Sequence, residues 1–468
     1  MKRLFIVSSF LCAFSLCVYT TAFGGFSLFD GRLEISGWVE NFSAFRLEDG
    51  YHSLHRGHEE GDYSLCRNTF QLETQFRLSD VVTVVSIYRG WYDAAYDIDD
   101  DLRKLIPSKE RDKYRHDSDI RELYVDIATD NLFLRFGKQQ IVWGESDGFR
   151  MADIINALDF SWYYFFPAWE DIRIPNWSAD IIWNLPGEFF RRYQSSLEFV
   201  LIPNCFDRGF ESTNLAPEGA MWNPMFPQMM LDMLDAKRRD MKSTQYAEYG
   251  IRFHSIVKGW DFHIFDFYTI EDNPVMDMKR MMAGRNPFRF ERVNKVGGSF
   301  NRYIEPLKGV LRFECVGTLD EPLNTLDHMS IKNRDSYAYM VGFDRPTYIP
   351  WLNPETSFFI SGQVFQKYYT HWDRDLATGD TSSDEYQTLI TFLINTGYRK
   401  WTWMPQIFAM YDFSGEGWVN PQIEYAHKGL HWRVKLGAHL MFASGSGQSY
   451  FSAFKDNNNV YLSVKYQF

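Results

Sequence analysis

What this chain lacks narrows its class first. Beyond the first 22 residues, no stretch approaches the roughly 20 consecutive apolar residues that a membrane-spanning helix needs. That excludes a helical membrane bundle. Cysteine is scarce: five in 468 residues, with Cys12 and Cys17 inside the apolar leader. Cys66, Cys205 and Cys315 cannot all pair, so no disulfide framework is expected. Cys315 sits on an apolar strand face and reads as a buried or lipid-facing thiol. Basic charge is in deficit, with 49 Lys and Arg against 61 Asp and Glu, which argues against a nucleic-acid partner. There is no Gly-x-Ser-x-Gly elbow of the hydrolase kind, and no low-complexity or Pro-rich linker divides the chain.

Other features are abundant. Lys2 and Arg3 precede an apolar run from Leu4 to Tyr19, and Thr20-Thr21-Ala22 supplies small residues before a cleavage point near Ala22/Phe23. This reads as a secretory signal peptide over residues 1–22, leaving 23–468 as a single domain. Loss of the two leader cations would move the formal charge from −12 to −14. Mean hydropathy is −0.35, a soluble-looking value that a barrel with a polar lumen also gives. Aromatic residues make up 18%, with 15 Trp, 27 Tyr and 41 Phe. Two interfacial girdles of a membrane barrel would use them.

The last nine residues, Val460 to Phe468, alternate. Val460, Leu462, Val464, Tyr466 and Phe468 share one face, and Tyr461, Ser463, Lys465 and Gln467 the other. About 9–11 such residues cross a bilayer inside a closed barrel. A chain ending on this strand, with Phe last, resembles bacterial outer-membrane proteins, whose terminal strand is read by the barrel-assembly machinery. Similar alternation recurs near 33–46, 64–78, 81–92, 119–128, 131–143, 177–185, 192–202, 246–257, 259–270, 293–305, 308–317, 335–346, 356–369, 384–398, 401–412, 417–426 and 430–442. With 458–468 this predicts about eighteen strands, sixteen being the alternative count. Connections alternate between long and short. Short turns are expected at Ser79-Asp80, Thr129-Asp130, Pro186-Gly187, Lys258-Gly259, Pro306-Leu307, Ile349-Pro350, Arg399-Lys400 and Lys428-Gly429. Segments such as 93–118, 144–176, 203–245 and 318–334 are long. The expected fold is all-β: a transmembrane antiparallel up-and-down β-barrel with long external loops, one of them folded into the mouth.

Alternation also assigns the lumen. Glu73, Arg77, Arg252, Arg312, Glu314, Glu424, Arg433, Lys435 and His439 face inward, with Arg135 and Gln139. Two readings stand: a hydrated interior of cross-strand ion pairs, or a lining that selects solute charge. Basic residues of the seventeenth strand face acidic ones of the sixteenth, which favours pairing.

The densest segment runs from Gly137-Lys138-Gln139-Gln140-Ile141-Val142-Trp143-Gly144-Glu145 through Asp153-Ile154-Ile155-Asn156 and Asp159 to Trp169-Glu170-Asp171-Ile172-Arg173-Ile174-Pro175. A Gly-x-Gln strand entering Trp-Gly, then an Asp-x-x-Asn element and an acidic-x-x-Pro return, resembles the domain-of-unknown-function 1302 family of Gram-negative outer-membrane barrels. The opening Gly31-Arg32-Leu33-Glu34-Ile35-Ser36-Gly37 is similar too. One departure is Asn156-Ala157 where Asn-Pro is expected. The resemblance implies a role in envelope transport, of hydrophobic compounds and alongside an inner-membrane exporter. Physically, 144–176 is too long and too aromatic for a loose loop. Asp153 and Asn156 suit helix N-terminal or turn roles, and Trp162, Tyr163, Phe165, Phe166 and Trp169 need burial. A constriction or plug shaped by Trp143, Trp162 and Trp169 is expected, with Arg135, Gln139, Glu145, Asp153, Asn156, Asp159, Asp171 and Arg173 as its polar candidates. The alternative is a self-packed external cap.

Six of 17 Met lie in 221–241 and four in 276–282. Phe226, Met229, Met230 and Met233 have helical spacing. With Met278 and Met281 they could line an apolar vestibule, pack two loops together, or hold a soft metal. His52, His55 and His58 with Glu59 and Glu60 read as a solvated loop tip. No metal, cofactor or catalytic set is expected. The leading expectation is a passive channel for small, including hydrophobic, solutes in the bacterial outer membrane. Its surroundings would be membrane lipid and lipopolysaccharide. A closed structural or adhesive barrel and an outer-membrane hydrolase are the alternatives.

Overall fold

The computed structural model describes residues 25–50, 58–163, 168–206, 209–223, 226–377, 384–426, 431–443, 451 and 454–468. The expected leader, His52, His55, Phe165, Phe166 and the Lys428-Gly429 turn lie outside them.

Eighteen antiparallel strands close into a barrel. In chain order they are β1 (Leu33–Arg46), β2 (Tyr63–Arg77), β3 (Val82–Asp93), β4 (His116–Ala128), β5 (Leu132–Gln139), β6 (Asn176–Asn184), β7 (Ser196–Ile202), β8 (Glu248–Val257) and β9 (Trp260–Ile270). They continue with β10 (Arg292–Ile304), β11 (Gly309–Asn324), β12 (Ile331–Thr347), β13 (Phe358–Tyr369), β14 (Tyr386–Asn395), β15 (Trp403–Asp412), β16 (Glu416–Ala426), β17 (Trp432–Ala443) and β18 (Asn459–Gln467). Each pairs with its neighbours in sequence, and the ring closes from Trp38↔Gln467 to Arg46↔Asn459. Closure satisfies both edges of every strand, which is what makes a sheet tolerable in lipid. A short strand, Phe26–Leu28, adds to β1 at the short-turn end.

Side-chain alternation sorts the two surfaces. Leu436, Leu440, Phe442 and Leu462 point outward and are exposed, while Arg433, Lys435 and His439 between them point inward. A one-residue slip would reverse both sets. Aromatic pairs ring both rims. Trp432–Tyr466 and Trp403–Tyr425 (both 4.8 Å between centroids) lie at the short-turn end, and Tyr249–Tyr268 (5.3 Å) and Tyr368–Tyr386 (5.0 Å) at the other. Cys66, Cys205 and Cys315 are all free.

Several boundaries differ from expectation. The seventh strand starts at Ser196, not 192, because Gly187 (φ +102°) leads into a helical turn, Glu188–Arg192, between β6 and β7. The turns expected at Ile349-Pro350 and Arg399-Lys400 widen to 348–357 and 396–402, since Pro350 and Pro354 bring no N–H to a ladder and residues 399–401 take positive φ. β11 and β12 run on to Asn324 and from Ile331, so 318–334 is mostly a standing ribbon rather than a loop. The fifth strand ends at Gln139, not 143. Beyond it the Ile141 amide bonds to the Asn156 side chain instead of a neighbouring strand, and the chain leaves the wall for the interior.

Candidate functional site

The segment after β5 crosses the lumen. β5 has 8 residues and β12 has 17, so the wall is low where the segment enters. Trp143 anchors its first turn. The ring is buried between Phe265 and Phe267 of β9, and its Nε1 donates to Glu198 Oε1 of β7 at 2.7 Å. Arg252 of β8 pairs with the same Glu198 carboxylate at 2.5 Å. Farther in, Glu314 of β11, fully buried, accepts the backbone amides of Glu145 (2.5 Å) and Ala152 (2.9 Å). Arg312 donates to the Glu145 carbonyl and pairs with both Asp147 and Asp344. Gly148 (φ +75°) passes against the Phe408 ring of β15, where a Cβ would sit 2.2 Å from a ring carbon. Only glycine allows both that backbone angle and that approach.

The return limb is braced as well. Asn156, fully buried, accepts from the Ile141 amide (2.9 Å) and donates to the Ile174 carbonyl (2.8 Å). Asp153 pairs with Arg173 at 2.8 Å. Of the helix N-terminal or turn roles expected of Asp153 and Asn156, the helical one is absent. No helix follows them, and both staple the outgoing limb to the returning one. Asp159 accepts from Ser161, and Trp169 opens a single helical turn, Trp169–Ile172. An extra residue in β4 re-aims Arg121, whose guanidinium reaches the Glu170 (2.5 Å) and Arg173 (2.8 Å) carbonyls. Asp171 pairs with Arg89 of β3 at 2.7 Å.

Between this plug and β1–β3 and β16–β18 lies a cavity of about 310 Å³. Trp162 and Tyr163 close it on the plug side, and Arg433 and Gln467 lie toward the short-turn end. Arg67 is clasped between Trp91 and Trp162, 3.9 and 4.1 Å from their centroids. Tyr163 donates to Asn459 (3.0 Å) and meets His439 edge-on. His439 stacks between Trp418 and Tyr461 and accepts from Trp418 Nε1 at 3.1 Å. Five cations line the cavity, namely Arg67, Arg89, Arg433, Lys435 and Lys465, against three acids, Glu40, Asp171 and Glu424. Arg433 pairs with Glu424 at 2.7 Å, and Lys465 lies 3.7 Å over the Trp38 ring.

Other candidates fall elsewhere. Arg135 forks onto Asp126 (2.7 and 2.9 Å), and buried Gln139 donates to the Ser178 carbonyl. Glu73 accepts from Gln71, and Arg77 pairs with Glu34 at the exposed rim. Met230, Phe226, Met233 and Met281 pack with Leu234 and Phe288 into a closed cluster that joins two external loops, leaving Met229 exposed. Met278 begins the short helix Met278–Met282 beside that cluster. His58 is buried and bonds to the Gly219 carbonyl rather than standing at a solvated tip. Arg67, Arg89, Glu40 and Glu198 were not singled out in the sequence, although the same alternation turns them inward.

These features define a porin-like barrel with an internal plug. Among solved structures, the chain is similar to OccAB3 of Acinetobacter baumannii (8% identity, 93% of this chain and 99% of that one, TM-score 0.50). It is similar also to OccK3 (OpdO) of Pseudomonas aeruginosa (8% identity, 93% and 95%, TM-score 0.51). The outer membrane protein opdK of Pseudomonas aeruginosa aligns at 6% identity over 93% and 98%, with a TM-score of 0.48. At such identities the likeness is one of fold. The chain belongs to the DUF1302 family, described as proteins of unknown function, whose sequence model matches residues 55–468. No curated protein matches it in sequence.

Proposed function

We propose that the protein is a gated channel of the bacterial outer membrane that passes small solutes down their gradient, and that its cavity prefers an anion with an apolar or aromatic body. The observation that carries this reading is the cavity itself. It lies inside a closed barrel, beside a segment that could move, and combines an excess of Lys and Arg with the faces of Trp38, Phe42, Trp162 and Tyr163. Cations lining a low-dielectric path favour anions, and aromatic faces favour a planar apolar body. The hydrophobic solutes implied by the family resemblance become amphipathic anions on this reading. Partners follow as proposals: lipid and lipopolysaccharide outside the barrel, the assembly machinery at the terminal strand, and an exporter. No chemistry on the solute is part of the reading.

Planar-bilayer recording tests it. Deleting 145–175 should convert rare, small openings into a steady current. Reversal potentials in a salt gradient should show anion preference, which Arg433→Glu with Lys465→Glu should weaken or invert. No current from the deleted form would leave a closed structural barrel instead.

A further inference from the structure

The wall beside the plug holds a cluster that none of the foregoing uses. β8 and β9 form a hairpin through Lys258-Gly259, and His254 lies directly opposite His263 in its register. Asp261, two residues before His263, shares the inward face. The imidazoles stack at 4.5 Å, inclined by 18°. His254 Nε2 lies 2.8 Å from Asp261 Oδ1, and His263 Nε2 lies 3.7 Å from the same oxygen. One ligand atom from each of the three fits within 4.8 Å of the others. A fourth donor comes from the plug: Glu145 Oε1 lies 3.8 Å from His263 Nε2.

We infer that His254, Asp261, His263 and Glu145 form a binding site for a divalent transition cation of the zinc class, which clamps the plug to the barrel wall. Four observations support this. First, the ligand types match: two imidazoles and two carboxylates are donors that Zn²⁺, Co²⁺ and Ni²⁺ accept. Second, the spacing matches. Tetrahedral bonds of about 2.0–2.1 Å place ligand atoms roughly 3.3 Å apart; the three wall residues each offer an atom within 4.8 Å of the other two, with His254–Asp261 at 2.8 Å and His263–Asp261 at 3.7 Å, and Glu145 approaches the group through His263 at 3.8 Å. Third, His263 is poorly satisfied without a cation. Its Nε2, the atom turned to the cluster, has only the two long carboxylate contacts, at 3.7 and 3.8 Å. Fourth, the plug carboxylate has an outer partner. Asn301 donates to Glu145 Oε2, leaving Oε1 turned to His263. Such second-layer bonds are what orient metal ligands. The nearby cations have carboxylate partners of their own, Arg252 in Glu198 and Arg312 in Asp147 and Asp344.

The site stands whether or not the lumen conducts, because its readout is the metal. The full barrel, folded in detergent and stripped with a chelator, is titrated with Co²⁺. The expected result is uptake of one ion per chain, with an intense visible band of low-symmetry Co²⁺ that Zn²⁺ abolishes. His254→Ala with His263→Ala should weaken binding by more than about 100-fold, beyond the 10–100-fold cost of losing only an outer-layer partner. Heat-modifiable gel migration verifies that this variant is folded, and Asp261→Asn provides a milder second variant. His371→Ala, on an exposed loop, should bind as the unaltered chain does. Glu145→Gln should both weaken binding and shift the band. An unaltered chain that takes up no Co²⁺, or a folded double-His variant that binds as tightly, overturns the site. An unchanged band in Glu145→Gln overturns the clamp.

Discussion

Replacing Asn156 with Ala should release the plug at its neck. The side chain makes two bonds, accepting from the Ile141 amide at 2.9 Å and donating to the Ile174 carbonyl at 2.8 Å, in a fully buried position. Alanine leaves the Ile141 amide buried and unpaired and takes the donor from the half-buried Ile174 carbonyl. Each orphan costs about 1–3 kcal/mol, and partial relaxation makes about 2–4 kcal/mol reasonable for the pair. At about 1.4 kcal/mol per decade, the population with the limbs parted should rise between about 30-fold and 700-fold. The barrel wall loses nothing, so heat-modifiable migration should not change. Hydrogen exchange measures the effect directly: amides from Ile141 to Asp153 should lose protection by that factor while β9 and β11 keep theirs. Asn156→Asp dissects the pair. Its carboxylate still accepts from Ile141 but confronts the Ile174 carbonyl with no donor, so the outgoing limb stays protected and the return limb loosens. Equal protection in Asn156→Ala and the unaltered chain would refute the stapling argument. In bilayer recordings the same variant should open more often, without the steady current of the full deletion.

Two further outcomes follow from the same geometry. Leu436→Arg places a charge on the outer face of β17, between Ile423 and Leu462, and should destabilise the folded barrel by about 2–4 kcal/mol in a urea titration in lipid; an unchanged midpoint would mean that this face does not meet hydrocarbon. In the loop after β9, burial pushes the Asp272 carboxyl up to about 7, only partly offset by Lys295. An unfolded Asp titrates near 3.9, so the folded chain holds the extra proton between about pH 4 and 7. Raising the pH through that window should therefore loosen the loop, seen as faster hydrogen exchange over 271–291, and Asp272→Asn should remove the dependence.

Much of the architecture was legible before any coordinates, because the side-chain period of a strand is local. Whether residue i faces lipid or lumen depends on its neighbours at i±1 and i±2, and the run Trp432 to Leu440 declares its faces unaided. Strand number, long and short ends, ring closure and the terminal strand's lumen residues Lys465 and Gln467 all follow from that period. It failed where the backbone stops obeying the ladder. Residues 140–143 continue to alternate, yet the Ile141 amide goes to Asn156 and the Trp143 ring to β7 and β9 rather than into a ladder with the neighbouring strands. It also failed at Pro350 and Gly187, where a missing N–H or a positive φ ends pairing early.

The chemistry of the site depended on contacts that no local pattern carries. Alternation alone turns His254, Asp261 and His263 to one face, but not Glu145 toward them. Trp143 reaches Glu198, Glu145 and Ala152 share the Glu314 carboxylate, and Tyr163 meets Asn459, pairs separated by 55 to 296 residues. So the sequence by itself determined a closed barrel, its two surfaces and the segment that matters. Only the tertiary structure decided that this segment lies across the lumen, stapled by Asn156, with a basic, aromatic cavity beside it and a His–Asp cluster of the wall meeting Glu145 of its outgoing limb. The physical reason is that a strand's facing is set by its own backbone, whereas a loop's path is set by whichever distant donors and acceptors satisfy its buried amides.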